Sequence, residues 1–88
     1  MESYELLIKP SAVKELERVA TKRDRARIVR RIRNLAKDPR PAGCEKLSTF
    51  ERYRVRQGAY RIVYAVDDDQ RQVTVVKIGH RRDVYRRR

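Results

Sequence analysis

A run of alternating side chains in the second half of the chain limits the folds that it can adopt. From Arg52 to Arg56 arginine alternates strictly with apolar residues, and Tyr60 to Val66 is rich in β-branched and aromatic residues. Such patterns predict two β-strands, each with an apolar face. Between them, Gly58-Ala59 fits a two-residue type II′ turn, in which glycine takes the position that needs a positive φ. The sequence therefore predicts a β-hairpin.

The predicted turn determines which side chains share a face of the hairpin. It pairs Arg56 with Arg61 and Arg54 with residue 63, so the three arginines lie together. The opposite face is apolar and suits packing under helices; it holds Tyr53, Val55, Tyr60, Ile62 and Tyr64. Like charges directly opposite each other destabilise a sheet. We therefore expect function, and not stability, to maintain the pair of facing arginines.

The first half of the chain predicts one strand and two helices. Tyr4, Leu6 and Ile8 alternate with more polar residues and indicate a first strand. Apolar residues at helical spacing then predict a first helix from Pro10 to about Ala20, with proline at its first position.

The second helix has clear start and stop signals. Thr21 and Asp24 have the spacing of a capping box, and Asp38-Pro39 stops the apolar stripe that follows. No glycine separates the two helices, so a single kinked helix is the alternative. We favour a helical hairpin, because both apolar stripes are then buried on the same sheet.

The remaining segments complete one small domain. Residues 40–50 are interpreted as a connecting loop, residues 67–69 as an acidic turn, and Val73 to Ile78 as a last strand. The order β-α-α-β-β-β predicts an α+β fold with two helices on one face of a largely antiparallel sheet, which leaves the other face available. With 88 residues, a single domain over positions 1–88 is expected.

The charge balance indicates a polyanionic partner. The chain has 24 Lys and Arg against 12 Asp and Glu, a formal net charge of +12 spread along its length. Its single cysteine, Cys44, excludes an intrachain disulfide and a multi-cysteine zinc site. The apolar run Leu6-Leu7-Ile8 is too short for a membrane span. We therefore expect a cytoplasmic protein without a membrane association.

The arginine face is the first candidate site. A guanidinium group stays charged and offers forked donors that match phosphate oxygens, so Arg54, Arg56 and Arg61 on one rigid hairpin predict a site for a phosphodiester. The alternative interpretation is a solvated arginine surface on a generally basic protein.

A second cluster of polar groups follows the last strand, where sites often lie. Histidine is the residue type whose ordinary chemistry suits acid or base catalysis near neutral pH, so His80 is a possible acid or base, although a surface histidine without such a role is the alternative. Tyr85 could stack on a nucleobase, form a hydrogen bond with the backbone, or simply pack beside Val84. The aspartates at 67–69 could suggest a metal site, but a solvated turn is the more usual reading. Cys44 is interpreted as loop packing.

Two motifs resemble the RelE-type toxins of the RelE/ParE superfamily. The pattern YRxRxGxYRxxY covers Tyr53 to Tyr64, and GHRRxxY covers Gly79 to Tyr85. Supporting matches are Lys14-Glu15-Leu16, Asp38-Pro39 and Lys46-Leu47. The length and the element order also fit the family, which implies a RelE-like fold with a possible short C-terminal helix.

The resemblance implies a function. Members of the RelE family cleave messenger RNA in the A site of the small (30S) ribosomal subunit, and a RelB-like antitoxin suppresses them. The reaction is attack of the ribose 2′-hydroxyl on the adjacent phosphate, and it needs no metal or other cofactor. By position, Arg61 would stabilise the phosphate in the transition state, Arg81 would act near the leaving group, and Tyr85 would stack on or orient the substrate. Arg54 and Arg56 match positions that are often lysine.

The remaining assignments leave alternatives open. With Arg54 and Arg56, His80 and Arg82 are candidates for binding RNA or its phosphates. Arg54 is a poor general base because a guanidinium does not lose its proton, so Tyr85 or His80 would serve instead, or the ribosome and substrate would supply most of the positioning. Two other functions fit the same features: a ParE-like toxin that inhibits DNA gyrase, and a noncatalytic RNA-binding protein.

Overall fold

The structure is a computed structural model and describes residues 3–47 and 52–80. Within these residues the elements are β1 (Glu5–Ile8), α1 (Pro10–Glu17), α2 (Lys22–Lys37), β2 (Glu45–Lys46), β3 (Arg52–Gln57), β4 (Tyr60–Asp67) and β5 (Gln72–His80). The strands form one sheet in the order β1-β5-β4-β3-β2. The β1–β5 pair is parallel and the other pairs are antiparallel. The predicted α+β class and largely antiparallel sheet are confirmed.

The two helices form a hairpin, as predicted. The Thr21 hydroxyl oxygen accepts a hydrogen bond from the backbone N–H of Asp24 at 3.0 Å and caps α2. The expected extension of α1 to Ala20 is wrong, because the helix ends at Glu17. The N–H of Arg18 closes the last turn on helix carbonyls, and Val19 then turns into the core, where it is 5% exposed. The helix ends before Val19 because tertiary packing, which buries this side chain, overrides the local helical pattern of the sequence.

Both helices cover the same face of the sheet. Apolar side chains of the helices pack in one cluster with alternate residues of the strands, and the cluster contains Ala12, Val19, Ile28, Ile32, Leu35, Tyr53, Val55, Ile62, Tyr64, Val66, Val73, Val75 and Ile78. Four residues of the predicted apolar hairpin face lie in this core, and the fifth, Tyr60, is partly buried and packs against it. Neither helix among the described residues has the length and apolar character needed to span a bilayer.

A β-bulge changes the alternation along β5. Val63 pairs with Lys77 and Tyr64 with Val75, which leaves Val76 without an opposite residue. The extra residue allows both Val75 and Ile78 to point into the core despite their odd spacing. Near the same position Glu15 of α1 accepts a hydrogen bond from the Ile78 N–H at 2.8 Å. This contact satisfies a donor of β5 beyond the end of β1.

The segment between α2 and the hairpin contains a strand that the sequence interpretation missed. Glu45 pairs with Arg54 and Lys46 with Tyr53, so β2 extends the sheet at the edge of β3. Two residues are too few to show an alternating pattern, and the strand is recognisable only from its pairing. The expected C-terminal helix falls on residues 81–88, which lie outside the described part of the chain.

Candidate nucleic-acid interface

The hairpin has the predicted register. Arg56 pairs with Arg61 and Arg54 with Val63, and Gly58 at the turn has a φ of 62°. Paired residues of an antiparallel ladder point to the same side. Arg54, Arg56 and Arg61 therefore share the face away from the helices, as the alternation predicted.

These arginines line one hollow. Its volume is about 320 Å³, and its walls are Arg31, Gly43, Glu45, Arg54, Arg56 and Arg61. Two of the charged residues were not foreseen from the sequence. Glu45 arrives through the short strand β2, and Arg31 comes from α2, three residues after the buried Ile28. The sequence places Arg31 next to the apolar stripe of α2, which could have indicated a partly buried arginine. Several other arginines of α2 lie next to the same stripe, so the sequence did not single out Arg31.

The hollow is strongly cationic. Arg61 is 6% exposed, whereas Arg56 on the opposite strand is exposed. The carboxylate of Glu45 is paired with the Arg54 guanidinium. Arg54, with smaller effects of Arg56 and Arg61, lowers the pKa of Glu45. Among the described residues of the hollow, one ionised carboxylate therefore faces four guanidinium groups, an arrangement that favours an additional anion.

His80 does not join the arginine hollow. It pairs with Tyr60 across the sheet, and the two rings meet edge to face with centroids 5.6 Å apart. By register this pair projects on the side opposite Arg61. It borders a separate hollow of about 250 Å³ together with Glu15, Arg18 and Lys77. The other three predicted site residues, Arg81, Arg82 and Tyr85, lie outside the described residues.

The acidic turn is tied to the rest of the fold. Asp68 accepts hydrogen bonds from the Tyr4 hydroxyl at 2.7 Å and from Arg40 at 2.9 Å. Arg40 also donates to the Tyr53 hydroxyl at 2.9 Å. The hydrogen bonds that Asp68 accepts lower its pKa, and the bond from Arg40 has a larger effect than the bond from Tyr4. In residues 3–47 and 52–80 no three His, Cys, Asp or Glu side chains are grouped as a metal site would need. Cys44 packs against the core.

A groove between the helices has a different chemistry. Its walls are Val13, Leu16, Glu17, Lys22, Arg25, Ala26, Val29, Arg30 and Arg33, and its volume is about 620 Å³. Apolar side chains are prominent among them, and Val13 is 37% exposed. Among the described residues, the groove also holds Arg25, Arg30 and Arg33, but they stand beside apolar side chains, whereas the walls of the hairpin hollow are mainly charged. Guanidinium groups grouped in this way match the oxygens of a phosphodiester.

Comparison with known proteins identifies the family. Residues 6–85 match the family described as ParE toxin of type II toxin-antitoxin system, parDE. The chain is also similar to toxin RelG of Mycobacterium tuberculosis, with 34% identity over 58 residues. That match covers 61% of this chain and 63% of RelG, so the chain spans less than two thirds of this relative's length.

Solved structures show the same fold. The RelE–RelB complex of the archaeon Pyrococcus horikoshii OT3 matches with a TM-score of 0.80 and 26% identity, over 89% of this chain and 94% of that chain. The Escherichia coli RelBE toxin–antitoxin complex matches with a TM-score of 0.77 and 23% identity, over 88% and 95%. The chain therefore belongs to the ParE toxin family of type II toxin–antitoxin systems and is a RelE-type toxin of the RelE/ParE superfamily.

Proposed function

We propose that this toxin is an endoribonuclease that cleaves messenger RNA in the ribosomal A site. The observation that carries the proposal is the hollow in which Arg54, Arg56 and Arg61 lie on one face of a rigid hairpin. The reaction is attack of a ribose 2′-hydroxyl on the adjacent phosphate, which leaves a cyclic phosphate and a free 5′-hydroxyl. Its transition state gathers negative charge on the phosphate, which guanidinium groups stabilise.

Each residue has a part in this proposal. Arg61 stabilises the phosphorane, because it is the most buried of the hairpin arginines and its charge is least screened by water. Arg54 and Arg56 bind the same phosphate. From the family motif, Arg81 acts near the leaving 5′-oxygen, Tyr85 stacks on the substrate, and Arg82 binds a neighbouring phosphate. His80 projects from the other face, so we propose that it contacts RNA flanking the hollow.

Three residues are candidates for the group that accepts the proton of the 2′-hydroxyl. Tyr85 and His80 were the candidates from the sequence, and the hollow adds the carboxylate of Glu45. The ion pair with Arg54 lowers the pKa of Glu45, which makes it a weak base. The pH dependence of the cleavage rate in Glu45→Gln, His80→Gln and Tyr85→Phe distinguishes the three candidates. Removal of the true base abolishes the rise of the rate with pH that deprotonation of that base produces.

Induced expression tests the proposal directly. Cells should stop translation, and primer extension should map breaks within codons of translated messages. Arg61→Gln and Tyr85→Ala should retain ribosome binding and lose cleavage by about 100-fold or more. Arg56→Gln, at an exposed position, should also reduce cleavage without affecting folding. The matched control is Arg33→Gln, an equal loss of charge on α2. Cleavage that persists in both Arg61→Gln and Tyr85→Ala contradicts the site assignment.

Gyrase inhibition is the second candidate function. The observation in its favour is the family match, whose description is that of a ParE toxin. A gyrase inhibitor acts through protein contacts and needs no phosphate site. Intact messages together with gyrase-dependent DNA damage after induction would support this function over RNA cleavage. Arg61→Gln then keeps its toxicity.

A cognate antitoxin completes the proposal. Several of the matching solved structures are complexes of a toxin with a RelB-type antitoxin. We propose that a RelB-like partner covers the arginine face of this toxin with a partly acidic segment, and that both act in the cytoplasm, where messages are translated. Expression of the toxin alone should arrest growth, and co-expression of the antitoxin should restore it. Normal growth without an antitoxin counts against the proposal.

A further inference from the structure

Arg31 lines the arginine hollow from helix α2, whereas the other arginines that line it belong to the β3–β4 hairpin. It lies on α2 between Ile28 and Leu35, whose side chains are buried in the core. This position draws Arg31 partly inside, and its Nε atom is fully buried. The exposed arginines of the same helix, such as Arg33, remain in water. Arg31 therefore has a fixed stem beside the core and borders the hollow with the rest of its side chain.

No group in the described part of the chain compensates the charge of Arg31. Among residues 3–47 and 52–80 it makes no hydrogen bond or ion pair, and its buried Nε has no acceptor. The carboxylate of the hollow, Glu45, is paired with Arg54. A half-buried cation beside three others raises the free energy of the folded state unless an anion joins them. The hollow thus has one guanidinium group, that of Arg31, in addition to those of the hairpin, and the described residues provide no counterion for it.

From this arrangement we infer that Arg31 is a fourth phosphate-binding residue, which contacts the RNA backbone next to the phosphate held by Arg61. The inference rests on the proposed function, because RNA is the polyanion that the hollow receives. The ligand class is a phosphodiester of single-stranded RNA. A stem held against the core loses little rotamer freedom on binding, so this contact is stronger than one made by a mobile surface arginine.

The test is a binding titration that requires neither cleavage nor the ribosome. A short fluorescein-labelled single-stranded RNA, 2′-O-methylated so that it cannot be cut, is titrated with the full chain, and the affinity is measured by anisotropy at several salt concentrations. Arg31→Gln should weaken binding about tenfold at low salt and reduce the salt slope by about 0.7, the value for one phosphate contact on a single strand. Arg31→Lys should retain most of the slope, because it keeps the charge.

Two comparisons make the result decisive. Arg33→Gln removes an equal charge from the exposed side of α2 and should change the affinity by less than about twofold. Arg61→Gln reports on the proposed site itself. If Arg61→Gln weakens binding and Arg31→Gln, folded by circular dichroism, does not, the role of Arg31 is refuted and the proposed site stands. If neither variant changes binding, the proposed site fails as well. Loss of slope in Arg31→Lys also refutes the inference, since packing alone then explains the effect.

Discussion

The two faces of the β3–β4 hairpin are made from alternate residues of the same strands, yet one face stabilises the fold and the other does not. The face under the helices is apolar, and its residues Val55, Ile62 and Tyr64 are completely buried. The opposite face places Arg56 directly across from Arg61. Side chains on the first face stabilise the fold by leaving water, whereas like charges on the second oppose it. The comparison shows that one strand can carry folding and binding functions at alternating positions.

The largest expected effect on stability lies on the covered face. Ile62→Ala should lower the free energy of unfolding by about 2–5 kcal/mol, because it leaves a cavity in a core that relaxes only partly. Urea denaturation followed by circular dichroism measures the change. An effect below that range would mean that the helices do not pack tightly over the hairpin.

Tyr64 tests the polar part of the same face. Its hydroxyl donates to the carbonyl of Pro39 at 2.6 Å, and burial, followed by the neighbouring Cys44, raises its pKa. Tyr64→Phe should lower the free energy of unfolding by about 1–3 kcal/mol, since it leaves a buried carbonyl without its donor. The matched control is Tyr60→Phe, at a position that is only partly buried. Equal losses in the two variants would contradict the importance of the Pro39 bond.

Arg56 tests the uncovered face. Arg56→Gln removes the like-charge pair with Arg61, so its free energy of unfolding should stay within about 0.5 kcal/mol of the parent and shift towards stability. RNA binding should weaken in the same variant. Denaturation and the anisotropy titration give both values from one preparation. A marked loss of stability would show that this arginine supports the fold and would remove the contrast between the faces.

The smallest effect concerns the exposed contacts of Asp68 beside the hairpin. Its ordinary carboxyl pKa is 3.8 and folding lowers it, so its contacts stabilise the protein above that value and are lost as the pH falls through the lowered pKa. Thermal unfolding at pH 6 and in acid should therefore show a smaller acid-induced loss for Asp68→Asn than for the parent. Asp69→Asn, in the same turn, serves as the control and should behave as the parent does.

Much of the fold was predictable because local patterns and tertiary packing agree. The alternation at residues 52–56, the glycine turn and the Thr21 cap all predicted elements that the structure confirms. The errors fall where local pattern is weak or is overridden. The end of α1 depends on burial of Val19, and β2 has only two residues. The extra residue of the β5 bulge is recognisable only from the pairing of two strands.

The candidate site divides in the same way. The sequence alone determined that Arg54, Arg56 and Arg61 share a face, because a two-residue turn sets the register and a strand repeats every second residue. Only the tertiary structure placed Arg31 and Glu45 beside them and His80 on the other side. Those positions depend on how a helix and an edge strand pack on the hairpin. Contacts between residues distant in the chain arise from the packing of whole elements, and the local sequence does not encode them.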